Sequence, residues 1–144
     1  MPSIRLSDEE MRYIALFESI TGATAKDCVI DDDTNRIIFV IKKGDMGMAI
    51  GKNGVNIKRA TKLIGRPVEV VEAGDSPEEL IKNALFPAKV HAVKISKDTS
   101  GRLVAHVAVD PKDKGLAIGR DGLKIRRARI LAKRYFDIVN VIIK

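Results

Sequence analysis

The chain has 144 residues, 45% of them hydrophobic, with a formal charge of +7 and a pI near 9.6, so a polyanionic partner is expected. No apolar run approaches the ~20 residues that cross a bilayer, and the N-terminus lacks the charged start and apolar core of a secretion signal, so a soluble cytoplasmic protein with no membrane partner is expected. The single cysteine, Cys28, excludes an internal disulfide and reads as a small buried hydrophobe, while His91 and His106 lack the convergent ligands that a metal site needs.

In chain order, Ser7 and Glu10 form a capping box, and Met11, Ile14, Ala15 and Phe17 continue at helical spacing to about Ile20. A short strand is predicted over 28–30, an acidic turn over 31–35 and a β-rich run over 36–42. After a break at 44–47 come a short helix over 48–50, a glycine-bounded turn over 51–54, and a helix from Val55 to about Ile64. Gly65 and Pro67 stop that helix, and a strand follows over 68–71.

The same order then returns. Ser76, Pro77 and Glu79 start a helix that runs to Leu85, and Pro87 closes it. Strands over 89–96 and 102–109, a short helix over 114–118, a glycine turn over 119–122, a helix over 123–135 and a strand over 138–143 complete the chain. Each half reads α-β-β-α-α-β, an α+β class, with modules at 1–75 and 76–144 and a linker of about three residues that predicts one fairly rigid body. A module of about seventy residues buries only about 60% of its unfolded surface, so a shared interface is expected. The charge is uneven between the halves: 11 bases against 12 acids in the first, 15 against 7 in the second.

The halves share a sequence repeat. Residues 45–60, DMGMAIGKNGVNIKRA, return 68 positions later as DKGLAIGRDGLKIRRA, identical at nine of sixteen positions. Ordinary helix-to-helix turns use such glycines for positive φ. Here, however, the pair precedes a helix N-terminus, where unpaired N–H groups and the dipole favour a phosphate. Glycines on both sides would let a sugar-phosphate backbone approach, and Lys52 or Arg120 adds a charge at the tip. Behind the loops, Ile57, Ala60 and Ile64, and Ile125, Ala128, Ala132 and Tyr135, form core-facing stripes. Lys58, Arg59 and Lys62 flank the first stripe; Lys124, Arg126, Arg127, Arg129, Lys133 and Arg134 flank the second. Asp121 opposes Arg120, or else caps the following helix.

The loops Ile50, Gly51, Lys52, Asn53, Gly54 and Ile118, Gly119, Arg120, Asp121, Gly122, in an α-β-β-α-α-β unit used twice, resemble the KH domain in its type II arrangement. The tandem resembles the archaeal NusA-related transcription factors. The resemblance implies two KH folds, each a three-stranded mixed sheet packed against helices. It also implies single-stranded RNA held beside the loops, about four nucleotides per module. RNA-binding residues are then the two loops with Lys58, Arg59, Lys62, Lys124, Arg126 and Arg127, and RNA polymerase is a further expected partner. No cofactor and no small-molecule substrate are expected.

Only six aromatics occur and none lies in a loop, which disfavours a base-stacking platform. An aliphatic groove from Ile50, Val55, Ile57, Ile118, Leu123 and Ile125 is expected instead. No phosphate-binding lysine motif and no nucleophile with a nearby base point to an enzyme. The alternative to a transcription elongation, termination or antitermination factor is a ribosome-associated or ribosome-assembly KH protein that binds ribosomal RNA.

Overall fold

The computed structural model describes residues 4–144; the first three residues of the expected first module lie outside the described residues. The chain divides into compact units over 5–73 and 74–144.

The first unit begins with helix α1 (Asp8–Thr21), started by a complete capping box: Ser7 Oγ accepts from the Glu10 N–H, and Glu10 accepts from the Ser7 N–H. Strands β1 (Ala25–Asp31) and β2 (Arg36–Ile41) form an antiparallel pair, and β3 (Val68–Glu72) runs parallel to β2, giving the order β1-β2-β3. Helices α2 (Met46–Ile50) and α3 (Val55–Ile64) lie between β2 and β3 in sequence. Phe17 of α1 stacks on Phe39 of β2 with ring centroids 4.3 Å apart. Around them Cys28, Ile37, Ile41, Ala49 and Ala60 complete a buried cluster. The central strand is buried on both faces from Ile37 onward, as its unbroken apolar run dictates.

Strand β1 is longer than the 28–30 expected from its apolar residues. Its register slips between Ala25 and Asp27, so Lys26 is a bulge residue, and Asp27 is only 1% exposed. A buried aspartate and a bulged lysine hide the alternation that marks a strand.

The second unit repeats the plan with α4 (Pro77–Leu85), β4 (Val90–Lys97), β5 (Leu103–Val109), α5 (Lys114–Ile118), α6 (Leu123–Phe136) and β6 (Ile138–Ile143). Its sheet order is β4-β5-β6, antiparallel then parallel, and β4 carries a bulge at the position matching Lys26, between Val90 and Ala92. Ser76 caps α4 by accepting from the Glu79 N–H, with proline at the first turn. The core lies between α4, α6 and one sheet face: Leu80, Ile81, Leu85, Ala105, Val107, Leu131 and Val141 are all fully or almost fully buried.

Candidate nucleic-acid interface

Each glycine loop is a tight turn between two helices. The Gly54 N–H donates to the Gly51 carbonyl at 3.1 Å, and Gly122 to Gly119 at 3.2 Å. At the third position Asn53 has φ 57° and Asp121 φ 55°, both left-handed, a conformation that asparagine and aspartate accept more readily than other side chains. This explains the Asn/Asp pair at the tip. Asp121 does not cap the next helix: Gly122 occupies the cap of α6 and no side chain bonds there. Its carboxylate stays on the exposed tip beside the exposed Arg120.

The two glycines of each loop differ in what they do. Gly51 and Gly119 pair a positive φ (74° and 79°) with ψ near 170°, a region open essentially to glycine alone. A Cβ on Gly51 would sit 2.8 Å from Asn56 Cγ and 3.0 Å from its backbone N; on Gly119 it would sit 2.7 Å from Lys124 Cβ. The first glycine is therefore required by the helix packed over it, whereas the sequence had suggested that it clears space for a ligand. The second glycine differs. Around Gly54 a Cβ would meet only Lys58 Cε, at 4.0 Å, and around Gly122 nothing within 4 Å. That side of each turn is open.

Several supports were not legible as functional. Asp45 and Asp113, identical in the repeat, precede α2 and α5 and tie them to the residue just before the first strand of their sheet. Asp45 accepts from the Thr24 N–H at 2.9 Å, and Asp113 from the Lys89 N–H at 2.8 Å. Asn56 Nδ2 donates to the Met48 carbonyl at 2.7 Å, clamping α3 over α2. The signal for both aspartates was their identity across the two copies.

The expected basic residues separate into groups. Lys52, Lys58, Arg59, Lys62 and Arg120 are exposed around the loops. Lys124 and Arg126 are half-buried and take part in interactions within the chain. Arg127 plays a structural part, since its Nε and Nη2 donate to the Ala84 carbonyl at 3.1 and 2.6 Å, at the electronegative end of α4. Arg129 likewise donates to the Val141 carbonyl of β6 at 3.2 Å.

The aliphatic surface is also redistributed. Ile125 is buried in the core, because it lies on the helix stripe beside Ala128 and so is lost to the groove. Ile50, Ile57 and Leu123 are half-buried, whereas Val55 and Ile118 are each 44% exposed. Met48 (47% exposed) and Leu116 (43%), matched positions of the repeat, join them as apolar side chains next to the loops.

The KH domain family matches residues 11–100, and the NusA-like second KH domain matches residues 77–144. The chain belongs to the NusA-like KH family. Among its relatives is the probable transcription termination protein NusA of Halococcus morrhuae, 46% identical over 96% of both chains. The protein of the same description from Halobacterium salinarum is 44% identical over 96% of this chain and 97% of its own. The crystal structure of APE1850 overlays with a TM-score of 0.87 at 36% identity, covering 96% of this chain and all of that one. The α+β fold with two three-stranded mixed sheets is the tandem KH arrangement that the loops led one to expect.

Proposed function

We propose that this chain is a non-catalytic transcription termination factor that acts by holding single-stranded RNA across its two KH modules, one loop gripping each stretch. The observation that carries this reading is the duplicated loop. Two turns of matching backbone, each with an open second glycine and an exposed Lys or Arg, stand immediately before a helix N-terminus. The role in termination rests on the description of the halophilic relatives, which align with nearly the whole chain. Exposed Lys58, Arg59 and Lys62 extend the positive surface of the first module, and Arg120 with Lys124 and Arg126 that of the second. RNA polymerase is the protein partner that a termination factor requires, and the cytoplasm its compartment.

Charge reversal at an exposed tip separates binding from folding. Lys52→Asp combined with Asn53→Asp leaves both glycines in place, so RNA affinity falls while the melting temperature hardly moves. Unchanged RNA affinity in that variant would remove the loop from the mechanism. Co-purification with polymerase supports the transcription role, and co-purification with ribosomal subunits instead would support the ribosomal alternative.

A further inference from the structure

The two sheets differ on the side turned away from their helices. In the first unit that side is apolar and closed: Ile38 and Val40 are each 2% exposed, and Val71 is fully buried. The 68-residue repeat matches Ile38 to His106 and Val40 to Ala108, and in the second unit the same side is open. Ala105, Val107 and Val141 turn into the core, so alternation sends His106, Ala108 and Ile142 to the opposite side. The registers set Lys94 and Ile142 on either side of His106, with Ala92 beside Ala108 in the next row. Strands about 4.8 Å apart put Lys94 and Ile142 roughly 10 Å from each other across the ring. Lys144 is the next outward position after Ile142, and its N–H donates to the Val107 carbonyl at 2.8 Å. His106 is half-buried, whereas Ala92, Lys94, Ala108, Ile142 and Lys144 are exposed.

The chemistry of this face suits a nucleic acid. None of its strand positions is acidic, and the acids that follow the strands, Asp98 and Asp110, accept hydrogen bonds from the backbone of their own turns. The His106 Nδ1 is enclosed without a hydrogen-bond partner, a cost to folding that gives the ring no internal polar role through that atom. Small neighbours at Ala92 and Ala108 leave room over the imidazole for a flat ligand. Protein interfaces, by contrast, centre on large apolar side chains and are poor in lysine. Here Ile142, 37% exposed, is the one exposed large apolar side chain beside His106.

We infer that the open face of the second sheet is an RNA-contact surface separate from the glycine loops, with one base stacked on His106 and the neighbouring phosphates held by Lys94 and Lys144. The scarcity of Phe, Tyr and Trp does not oppose this, because a histidine ring also stacks on bases. The face lies across the sheet from α6 and its loop, so the inference goes beyond the loop mechanism and is tested apart from it.

The test is titration of a single-stranded RNA oligonucleotide with variants of the intact chain across a salt series, with a melting curve for each. Lys94→Glu combined with Lys144→Glu, both at exposed positions, weakens binding severalfold and reduces the log-log salt slope by about 1.4, two contacts at about 0.7 each. His106→Ala weakens it about fivefold or more, and His106→Phe, which keeps a stacking face, retains it. Lys82→Glu, at an exposed position of α4, controls for net charge and has a smaller effect than Lys94→Glu alone. Unchanged affinity and slope in the double lysine variant would overturn the inference, as would an equal loss in Lys82→Glu. Loss of polymerase co-purification with RNA affinity intact would also overturn it, assigning the face to a protein instead. His106→Phe binding as weakly as His106→Ala, with both melting normally, would remove the stacking role. Should Lys52→Asp with Asn53→Asp leave affinity intact while the sheet variants lower it, the loop mechanism falls and this surface stands.

Discussion

Replacing the loop glycines one at a time tests whether the first is needed for packing and the second for access. In Gly51→Ala the new methyl lies 2.8 Å from Asn56 Cγ, and the backbone occupies a region costing about 1–3 kcal/mol for any side chain. Asn56 swings aside only by giving up its bond to the Met48 carbonyl, a further loss of about 1 kcal/mol. The total is about 2–4 kcal/mol, partly offset by the lower entropy of the unfolded chain. Gly119→Ala is worse, because the colliding Lys124 Cβ is fixed to the α6 backbone and has no rotamer to escape into. Gly54→Ala meets only the left-handed penalty of about 1–2 kcal/mol, with no collision. Thermal melts of the single variants, with RNA anisotropy below the melting range, provide the assay. Gly51→Ala lowers the midpoint by roughly 10 °C or more, about twice the shift of Gly54→Ala. Equal or reversed shifts would refute the assignment of the first glycine to packing.

Other substitutions read out single contacts. Asp121→Asn removes a charge opposing Arg120 while keeping a residue that tolerates the left-handed turn, so RNA affinity rises and stability is unchanged; a titration and a melt check it. Arg127→Ala removes two charge-assisted bonds to the Ala84 carbonyl and costs about 1–3 kcal/mol in urea unfolding, with a smaller effect on RNA binding than Arg120→Ala. Asp98 is held below the usual carboxylate range chiefly by the Arg102 N–H, with the Ser100 N–H and the Arg102 charge adding to it and desolvation opposing. A depressed folded-state pKa stabilises above the unfolded value and is lost as pH falls through the folded one, so Asp98→Ala flattens the acid limb of a stability profile below about pH 4.

How far the sequence could be read depended on whether a residue acts locally. Capping at Ser7 and Ser76, the glycine stops and the ends of α3 and β6 are local events, and those elements lie where spacing and caps put them, whereas α2 starts at Met46, inside the expected break over 44–47. Lys26 and Asp27 interrupt the apolar pattern because the bulge there depends on the partner strand, so the start of β1 was invisible. Arg127 looked like its basic neighbours on α6, and only the fold brings it to a carbonyl 43 residues away. Gly51 and Gly54 are likewise indistinguishable as letters; α3 packing over one and leaving the other open is what separates them.

RNA engaging both loops through phosphate contacts is the central claim, and its direct measurement is a titration of single-stranded RNAs of increasing length against the intact chain across a salt series. Affinity that keeps rising beyond about four nucleotides, with a log-log salt slope near −3 to −4 from roughly four to six phosphate contacts, is the predicted result. Affinity that levels off at about four nucleotides, or that is indifferent to salt, would contradict it.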